Sequence, residues 1–212
     1  MKPARMIKVF TDQYPFAGPS FWIASVQYFV VQLVAMLAWT TPFSLRTNVI
    51  SDLGNTACGA YGDRFVCSPL HWLMNASFII LGVTMIVGAT LIYQEFKETR
   101  GSLIGFGFMG LAGAGTIIVG LFPENSVASL HFIGAILPFL VGNLGLVIFA
   151  VVLDLSKTLR IYTLVSGVIS LVALGFYLTH IYFGLGQGGM ERVVAYPQTI
   201  WLIVFGLYMT RI

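Results

Sequence analysis

Residues 70–94 read LHWLMNASFIILGVTMIVGATLIYQ, a stretch that contains no Asp, Glu, Lys or Arg. A bilayer core of about 30 Å is crossed by about 20 helical residues, because each residue of an α-helix adds about 1.5 Å. The stretch is therefore long and apolar enough to form a transmembrane helix.

The composition of the whole chain agrees with a membrane location. Of its 212 residues, 58% are hydrophobic and 9% are charged, and the mean hydropathy is +0.89. Soluble domains carry about 25% charged residues. Six apolar blocks cover residues 21–41, 70–94, 102–122, 128–153, 161–183 and 193–209. The sequence predicts an all-α integral membrane protein, a six-transmembrane-helix bundle that forms one domain over residues 1–212.

The first block has a competing interpretation, because basic residues precede it as in a signal peptide. Pro15 and Pro19 intervene, however, the apolar run is too long, and no small-x-small cleavage site follows it. We therefore expect a retained first helix after a cytoplasmic N-terminal segment at residues 1–20.

The positions of Lys and Arg predict the orientation, since cytoplasmic loops carry an excess of basic residues. One face holds Lys2, Arg5, Lys8, Lys97, Arg100, Lys157, Arg160 and Arg211. The other face holds Arg46, Arg64 and Arg192. We expect the N-terminus and the C-terminus to be cytoplasmic, and the net charge of +3 to reflect this inner collar and no nucleic-acid partner.

The two cysteines test this orientation. Cys58 and Cys67 both lie in residues 42–69, the predicted outer loop 1. An isolated pair in a short extracytoplasmic loop favours a disulfide bond, and two free thiols are the alternative.

The three histidines share one predicted face, because His71, His131 and His180 lie at the outer ends of different spans. Three imidazoles with a water would form an open zinc site, or a site for another divalent transition metal, and Asp52 or Glu124 could act as general base. The alternative for each histidine is an interfacial side chain that binds a carbonyl or headgroup water.

Other polar residues cluster on the same face. Ionisable and amide groups at the hydrocarbon edge are costly unless paired, and therefore indicate function by default. The supporting polar residues are Asn48, Ser51, Asn55 and Asn75. The alternative is a structural cap in which Asp52 forms an ion pair with Arg46, Arg64 or Arg192 and does no chemistry.

The predicted last outer loop reads GLGQGGMER over residues 184–192. Successive N–H groups around Gly188 and Gly189 could point at an anion, and Arg192 would add a two-pronged donor for a phosphate or carboxylate headgroup. A flexible turn with Glu191 paired to Arg192 is the alternative.

Small residues indicate close packing within the bundle. The third block contains Gly105, Gly107, Gly110, Gly113, Gly115 and Gly120, which predicts a central helix. In the fourth block Gly134, Pro138 and Gly142 permit a kink, and Asn143 needs an interhelical partner.

Several short motifs together resemble a known family. They are ISDLGN at residues 50–55, Asn75, GLFPENS at residues 120–126 followed by His131, and GMER at residues 189–192 before Trp201. The sequence resembles, over essentially its whole length, the six-span bacterial and archaeal membrane proteins catalogued as domain of unknown function nine-nine-eight. ISDLGN and LHFIGA, around His131, more distantly resemble the DRAM-like family of six-span proteins linked to membrane lipids.

The resemblance implies six spans in the plasma membrane of a bacterium or archaeon and a motif-bearing outer face, but no activity. Three functions stay open: a metal-dependent hydrolase or transferase that acts on a lipid, a non-catalytic binder or carrier of a lipid headgroup or small amphiphile, and a structural protein. The sequence contains no internal repeat with paired broken helices, which disfavours a transporter. It also contains no Rossmann or P-loop glycine pattern, which disfavours a nucleotide enzyme.

Overall fold

The computed structural model describes residues 3–211, with side chains from residue 6 onward. Its helices are α1 (Pro3–Gln13), α2 (Ala17–Ile23), α3 (Val26–Leu37), α4 (His71–Tyr93), α5 (Arg100–Leu121), α6 (Ala128–Ile136), α7 (Asn143–Val152), α8 (Lys157–Leu178) and α9 (Gly186–Met209). A 3₁₀ turn covers Ser51–Gly54, a π-helical segment covers Leu137–Gly142, and two short strands are β1 (Gly59–Tyr61) and β2 (Arg64–Val66). Lys2 and the side chain of Arg5, two predicted inner charges, lie outside the described residues.

Within the described residues 3–211, five helical segments are long and apolar enough to cross a membrane. They are Ala17–Leu37, His71–Tyr93, Arg100–Leu121, Ala128–Val152 and Lys157–Leu178. These segments match the first five predicted blocks, with α2 and α3 forming the first and α6 to α7 forming the fourth. The sixth block lies in α9, which has 24 residues but is less apolar because it carries Glu191, Arg192 and two glutamines.

The ends of the last two helices differ from the prediction. Helix α8 ends at Leu178, before residue 183, because His180 adopts a left-handed conformation with a φ of 58° that a right-handed helix cannot continue. Helix α9 begins at Gly186, so the predicted loop 184–192 is mostly helical. Packing of this glycine-rich turn against other segments outweighs its weak helix propensity.

We call residues 38–70, which connect α3 to α4, the cap. The disulfide predicted within this segment is confirmed, because Cys58 and Cys67 are bonded to each other. The bond encloses an antiparallel hairpin in which Gly59 pairs with Val66 and Tyr61 pairs with Arg64. The hairpin was not predicted, although its turn starts at a glycine, Gly62, with a φ of 61°.

Helix α5 is central, as its glycines predicted, and packs against α4, α6, the π-helical segment and α7. A Cβ on Gly82 of α4 would lie 2.4 Å from the carbonyl oxygen of Gly113, so the two backbones touch. The predicted interhelical partner of Asn143 is also found, since its Nδ2 donates to the carbonyl oxygen of Val194 at 3.4 Å.

An aromatic cluster joins α2, α5, α7 and α9. Trp22, Phe106, Phe149, Trp201 and Phe205 are buried and stack on one another, with ring centroids of Trp201 and Phe205 4.6 Å apart. The indole of Trp201 donates to the hydroxyl of Thr163 at 2.8 Å, which satisfies its N–H inside the bundle.

The contact between α4 and α5 gives a first prediction. We expect Gly82→Ala to destabilise the protein by about 1–3 kcal/mol, because the new methyl group would force the two helices apart. Thermal unfolding in detergent measures the effect. Gly110→Ala is the matched control, since a Cβ on Gly110 meets no atom within 4 Å. Equal unfolding midpoints for the two variants would contradict this account of the packing.

Candidate functional site

The cap is organised around one buried carboxylate. Asp52, on the 3₁₀ turn, is fully buried. Its Oδ2 accepts hydrogen bonds from the Asn48 side chain at 3.1 Å and the Val49 backbone N–H at 3.0 Å. Arg64 of β2 binds it with two prongs, Nε to Oδ2 at 2.7 Å and Nη2 to Oδ1 at 2.8 Å. A charge removed from water needs such partners, so the turn and the hairpin are held to each other.

The motif ISDLGN is explained by further contacts of the cap with α4 and with the α5–α6 loop. Asn75 of α4 donates to the carbonyl oxygen of Gly54 at 2.9 Å. A Cβ on Gly54 would lie 2.2 Å from the Asn75 side chain, so the close approach requires glycine. Asn55 donates to Glu124 at 3.5 Å. These contacts support a structural role for Asn55 and Asn75.

Helix α9 binds the other side of the cap. Glu191 accepts a hydrogen bond from the backbone N–H of Ile50. Nη1 of Arg192 donates to the carbonyl oxygens of Leu45 at 3.2 Å, Asn48 at 2.8 Å and Gly188 at 2.7 Å. Both charged residues are at least nine-tenths buried, so α9 is attached to the cap through buried charged groups.

This arrangement differs from the predicted anion site. A Cβ on Gly188 would lie 2.2 Å from the Asn48 carbonyl oxygen, and the Gly188 N–H donates to the Arg46 carbonyl oxygen at 2.9 Å. Gly188 and Gly189 therefore belong to a helical turn against which the cap backbone packs, and the Gly188 N–H is already bound by the cap. Nε and Nη2 of Arg192 are buried without a hydrogen-bond partner among the described residues.

The predicted histidine site is not formed. Among residues 3–211, no three His, Cys, Asp or Glu side chains lie close enough to hold a metal ion together. His180 is exposed, and its Nδ1 is 2.9 Å from the Tyr182 hydroxyl. Nδ1 of His71 is buried without a hydrogen-bond partner among the described residues. The side-chain hydrogen bonds of Asp52 are formed with the cap residues Asn48, Val49 and Arg64, and its expected position facing the three histidines stays a prediction.

His131 instead contacts the cap through Ser51. Its Nε2 lies 2.8 Å from the Ser51 hydroxyl, and its Nδ1 lies 2.8 Å from the carbonyl oxygen of Phe122. A carbonyl oxygen only accepts hydrogen bonds, so in the neutral ring the proton is on Nδ1. Nε2 is then an acceptor, and the Ser51 hydroxyl donates to it.

This Ser51–His131 pair borders a cavity of about 300 Å³. The polar part of its wall is formed by Ser51, Tyr61, Arg64, Glu124, His131, Tyr177, Gln187 and Glu191. The apolar part is formed by Val49, Ala128, Phe132, Ala135, Ile136, Phe139, Leu174 and Leu178. A smaller cavity of about 50 Å³ lies next to it, nearer the bundle core, and shares Ser51 and Glu191. The site therefore offers both hydrogen-bonding groups and apolar side chains to a ligand.

Glu124, in the α5–α6 loop, is a titratable residue of the cavity wall. Burial raises the pKa of Glu124, and the neighbouring Asp52 carboxylate raises it further, while Arg64 lowers it. The net pKa is well above the ordinary value of 4.5. At neutral pH the Glu124 carboxyl group is therefore protonated and can donate as well as accept a hydrogen bond.

Three predicted site residues, Ser51, Glu124 and His131, meet at the cavity wall. Several important groups were missed: Tyr61, Tyr177, Gln187 and the Phe122 carbonyl. Arg64 was named only as one of three possible ion-pair partners of Asp52. The signal available for Arg64 was its position two residues after Gly62, where a hairpin turn would bring it back towards the ISDLGN segment.

The buried ion pair gives a second prediction. We expect Arg64→Gln to destabilise the protein by about 3–5 kcal/mol, because it leaves the Asp52 carboxylate buried without its counter-charge. Asp63→Asn is the control, since Asp63 is 91% exposed and lies 3.7 Å from Arg64, and it should change stability by less than about 1 kcal/mol. Denaturant titration in detergent compares them, and a smaller loss for Arg64→Gln than for Asp63→Asn would overturn this ranking.

The raised pKa of Glu124 gives a third prediction. The folded protein retains a proton that the unfolded chain loses near pH 4.5, so stability falls as the pH rises from there through the raised pKa. Glu124→Gln should flatten this fall, measured as the unfolding midpoint between about pH 5 and about pH 9. Glu98→Gln, at an exposed position at the other end of the bundle, should leave the slope unchanged. A wild-type slope in Glu124→Gln would refute the assignment.

No curated protein and no solved structure matches the chain. The distant resemblance to the DRAM-like family stays a prediction. Residues 22–208 match the family described as "Protein of unknown function (DUF998)". This match covers the five apolar helices almost completely, together with the cap, the Ser51–His131 pair and the cavity wall. The chain therefore belongs to that family, as its motifs indicated.

Proposed function

We propose that the protein binds a lipid or small amphiphile, with the polar head in the cavity below the cap and the acyl chain between α6 and α8. The observation that carries the proposal is that the cavity wall combines eight polar with eight apolar side chains. Ligand sites are typically mostly apolar with a few convergent polar groups, which is the composition found here.

A gap between α6 and α8 supports entry from the membrane. A Cβ on Gly115 of α5 would lie 2.5 Å from the Gly134 carbonyl oxygen, so α6 is held close to α5. Helix α8 packs mainly against α7 and α9 and makes little contact with α6. The π-helical segment, which contains Pro138, separates these two packing regimes. Helix α7, which follows the π-helical segment, therefore packs against α8, whereas α6, which precedes it, lies apart from α8.

The residues at this gap are apolar and accessible. Phe132 of α6 and Leu178 of α8 both line the cavity, and they are 60% and 48% exposed. In a membrane these surfaces would face acyl chains. An amphiphile could therefore place its head in the cavity without its chain leaving the apolar phase.

The polar side chains of the cavity suit a ligand head group that accepts hydrogen bonds. Arg64 binds Asp52 through Nε and Nη2 and lines the cavity, so its guanidinium group places positive charge at the wall. Glu124 and Tyr177 are neutral donors at the same wall. An ester carbonyl or a single phosphate fits these groups better than a cationic head, because Arg64 is the cation among the cavity-lining residues.

We also propose a membrane topology with six spans and the cap on the outer side. Helix α9 would be the sixth span, since at 24 residues it is long enough and its charged residues are bound to the cap. Lys8 of α1 lies 3.7 Å from Glu95, so α1 is at the end of the bundle opposite the cap, where the basic residues concentrate. This end would be cytoplasmic, and the cap with its disulfide would face the outside of a bacterial or archaeal plasma membrane.

Filling the cavity tests the proposal and gives a fourth prediction. Ala135→Trp places a large ring where both cavities meet, and we expect the detergent-purified variant to lose most of the lipid that copurifies with the wild type, quantified by mass spectrometry. Val172→Trp, on the 53%-exposed outer face of α8, is the control and should retain it. Equal retention by two variants with wild-type unfolding midpoints would refute cavity binding.

A further inference from the structure

We propose that Ser51 and His131 form a nucleophile and general-base pair that transfers the acyl group of a carboxylic ester bound in the cavity. The inference rests on the proposed function, since the ester is the bound amphiphile, and adds a reaction to it. It assigns to Ser51 a role different from the supporting one that its motif suggested, and to His131 a role that needs no metal ligation.

The hydrogen-bond geometry is that of an activated hydroxyl group. Oγ of Ser51 is 2.8 Å from Nε2 of His131, within reach for direct proton transfer. The Phe122 carbonyl accepts from Nδ1 and so fixes both the tautomer and the orientation of the ring. In serine hydrolases a carboxylate usually performs this orienting task, and here a backbone carbonyl takes its place.

The pair is held rigidly from both sides. Ser51 begins the 3₁₀ turn whose next residue, Asp52, is fixed by four hydrogen bonds. The preceding residue, Ile50, is fixed through its N–H by Glu191. His131 is 8% exposed and lies on α6, next to the cavity. Such support maintains the orientation that proton transfer requires.

The reaction balances with water as the second substrate. Oγ of Ser51 attacks the carbonyl carbon of the ester while its proton passes to Nε2 of His131. Collapse of the tetrahedral intermediate breaks the ester C–O bond, and the leaving alkoxide takes the proton from Nε2. His131 then deprotonates a water that attacks the acyl-Ser51 ester, which releases the carboxylic acid and restores the Ser51 hydroxyl.

The cavity also supplies charge stabilisation for the intermediate. Arg64 lines the same cavity as Ser51 and His131, and the positive charge of its guanidinium group would favour the developing oxyanion. The imidazolium formed on His131 keeps its Nδ1–H bond to the Phe122 carbonyl. Asp52 contributes by positioning Arg64 and the turn that carries Ser51, and does not touch the reacting atoms.

A structural latch is the competing explanation of the same hydrogen bond, and covalent labelling distinguishes the two. The probe is a long-chain alkyl fluorophosphonate added to the purified full-length protein. We expect one phosphonyl adduct per chain, mapped to Ser51 by peptide mass spectrometry, with loss of fluoride. Absence of an adduct on Ser51 in folded wild-type protein would overturn the proposal, and this readout does not depend on any variant folding.

Three variants sharpen the test. Ser51→Ala should abolish labelling, and His131→Gln, which can still hydrogen-bond, should lower the labelling rate by about 100-fold or more. Ser68→Ala is the control, because Ser68 is another buried cap serine that donates to the Leu53 carbonyl oxygen at 2.7 Å, and it should label normally. An unchanged labelling rate in folded His131→Gln would show that His131 is not the base.

Lipid retention, measured in parallel, separates the two proposals. Ser51→Ala that retains lipid but does not label supports both the cavity and the nucleophile. Wild-type protein that retains lipid in the cavity and does not label refutes the acyl transfer alone. Lipid retention that is insensitive to Ala135→Trp refutes the bound amphiphile, whatever the labelling shows.

Discussion

The buried pair of Asp52 and Arg64 is the interaction on which the cap depends. An isolated carboxylate away from water would cost several kcal/mol, and the two-pronged guanidinium offsets this cost only if its geometry is held. The hairpin enclosed by Cys58 and Cys67 holds it by presenting Arg64 from a short strand. The 3₁₀ turn therefore has one favourable position, and Ser51 and the Ile50 N–H are placed as a consequence.

A second constraint comes from glycines on the central helix. Gly113 and Gly115 bring α4 and α6 against α5 at backbone contact distance, and an interface without side chains cannot shift without losing dispersion contacts. Because α6 packs closely against α5, it leaves a space between itself and the end of α8 that lies near the cap. The π-helical segment then redirects the chain to α8, so the gap results from the packing of neighbouring helices.

The sequence predicted well how far along a span each residue lies. It predicted poorly which neighbouring helix each side chain faces. Hydropathy located five spans because charged residues are nearly absent from them. It located the cap because polar and charged residues are frequent there. It also predicted that His71, His131 and His180 share one end. Which way a side chain points depends on helix rotation and on the exact start of each helix. The early end of α8 at the left-handed His180 removed one expected ligand, and no local pattern predicted it.

The same limit explains the glycine-rich segment before Arg192. Four glycines in nine residues are typical of a loop, and a local rule has no means to include the cap backbone that packs on Gly188. Arg192 was expected to face a ligand, but it hydrogen-bonds three backbone carbonyl oxygens and lies 5.8 Å from the Phe43 ring. Tertiary contacts thus changed both the secondary structure and the role of this segment.

The distribution of charge is finally compatible with the proposed role of a neutral pair, Ser51 and His131, in the cavity. Asp52 and Arg64 neutralise each other, Glu191 is bound to the cap backbone, and the pKa of Glu124 is raised by burial and by Asp52. Ser51 and His131 require no counter-ion in the ground state, so they can border a low-dielectric cavity at little cost. In the proposed reaction, charge would form only during proton transfer, on the His131 imidazolium, which the Phe122 carbonyl faces, and on the oxyanion of the ester, which the charge of Arg64 would favour. A site built in this way meets the main energetic objection to chemistry at the edge of a membrane.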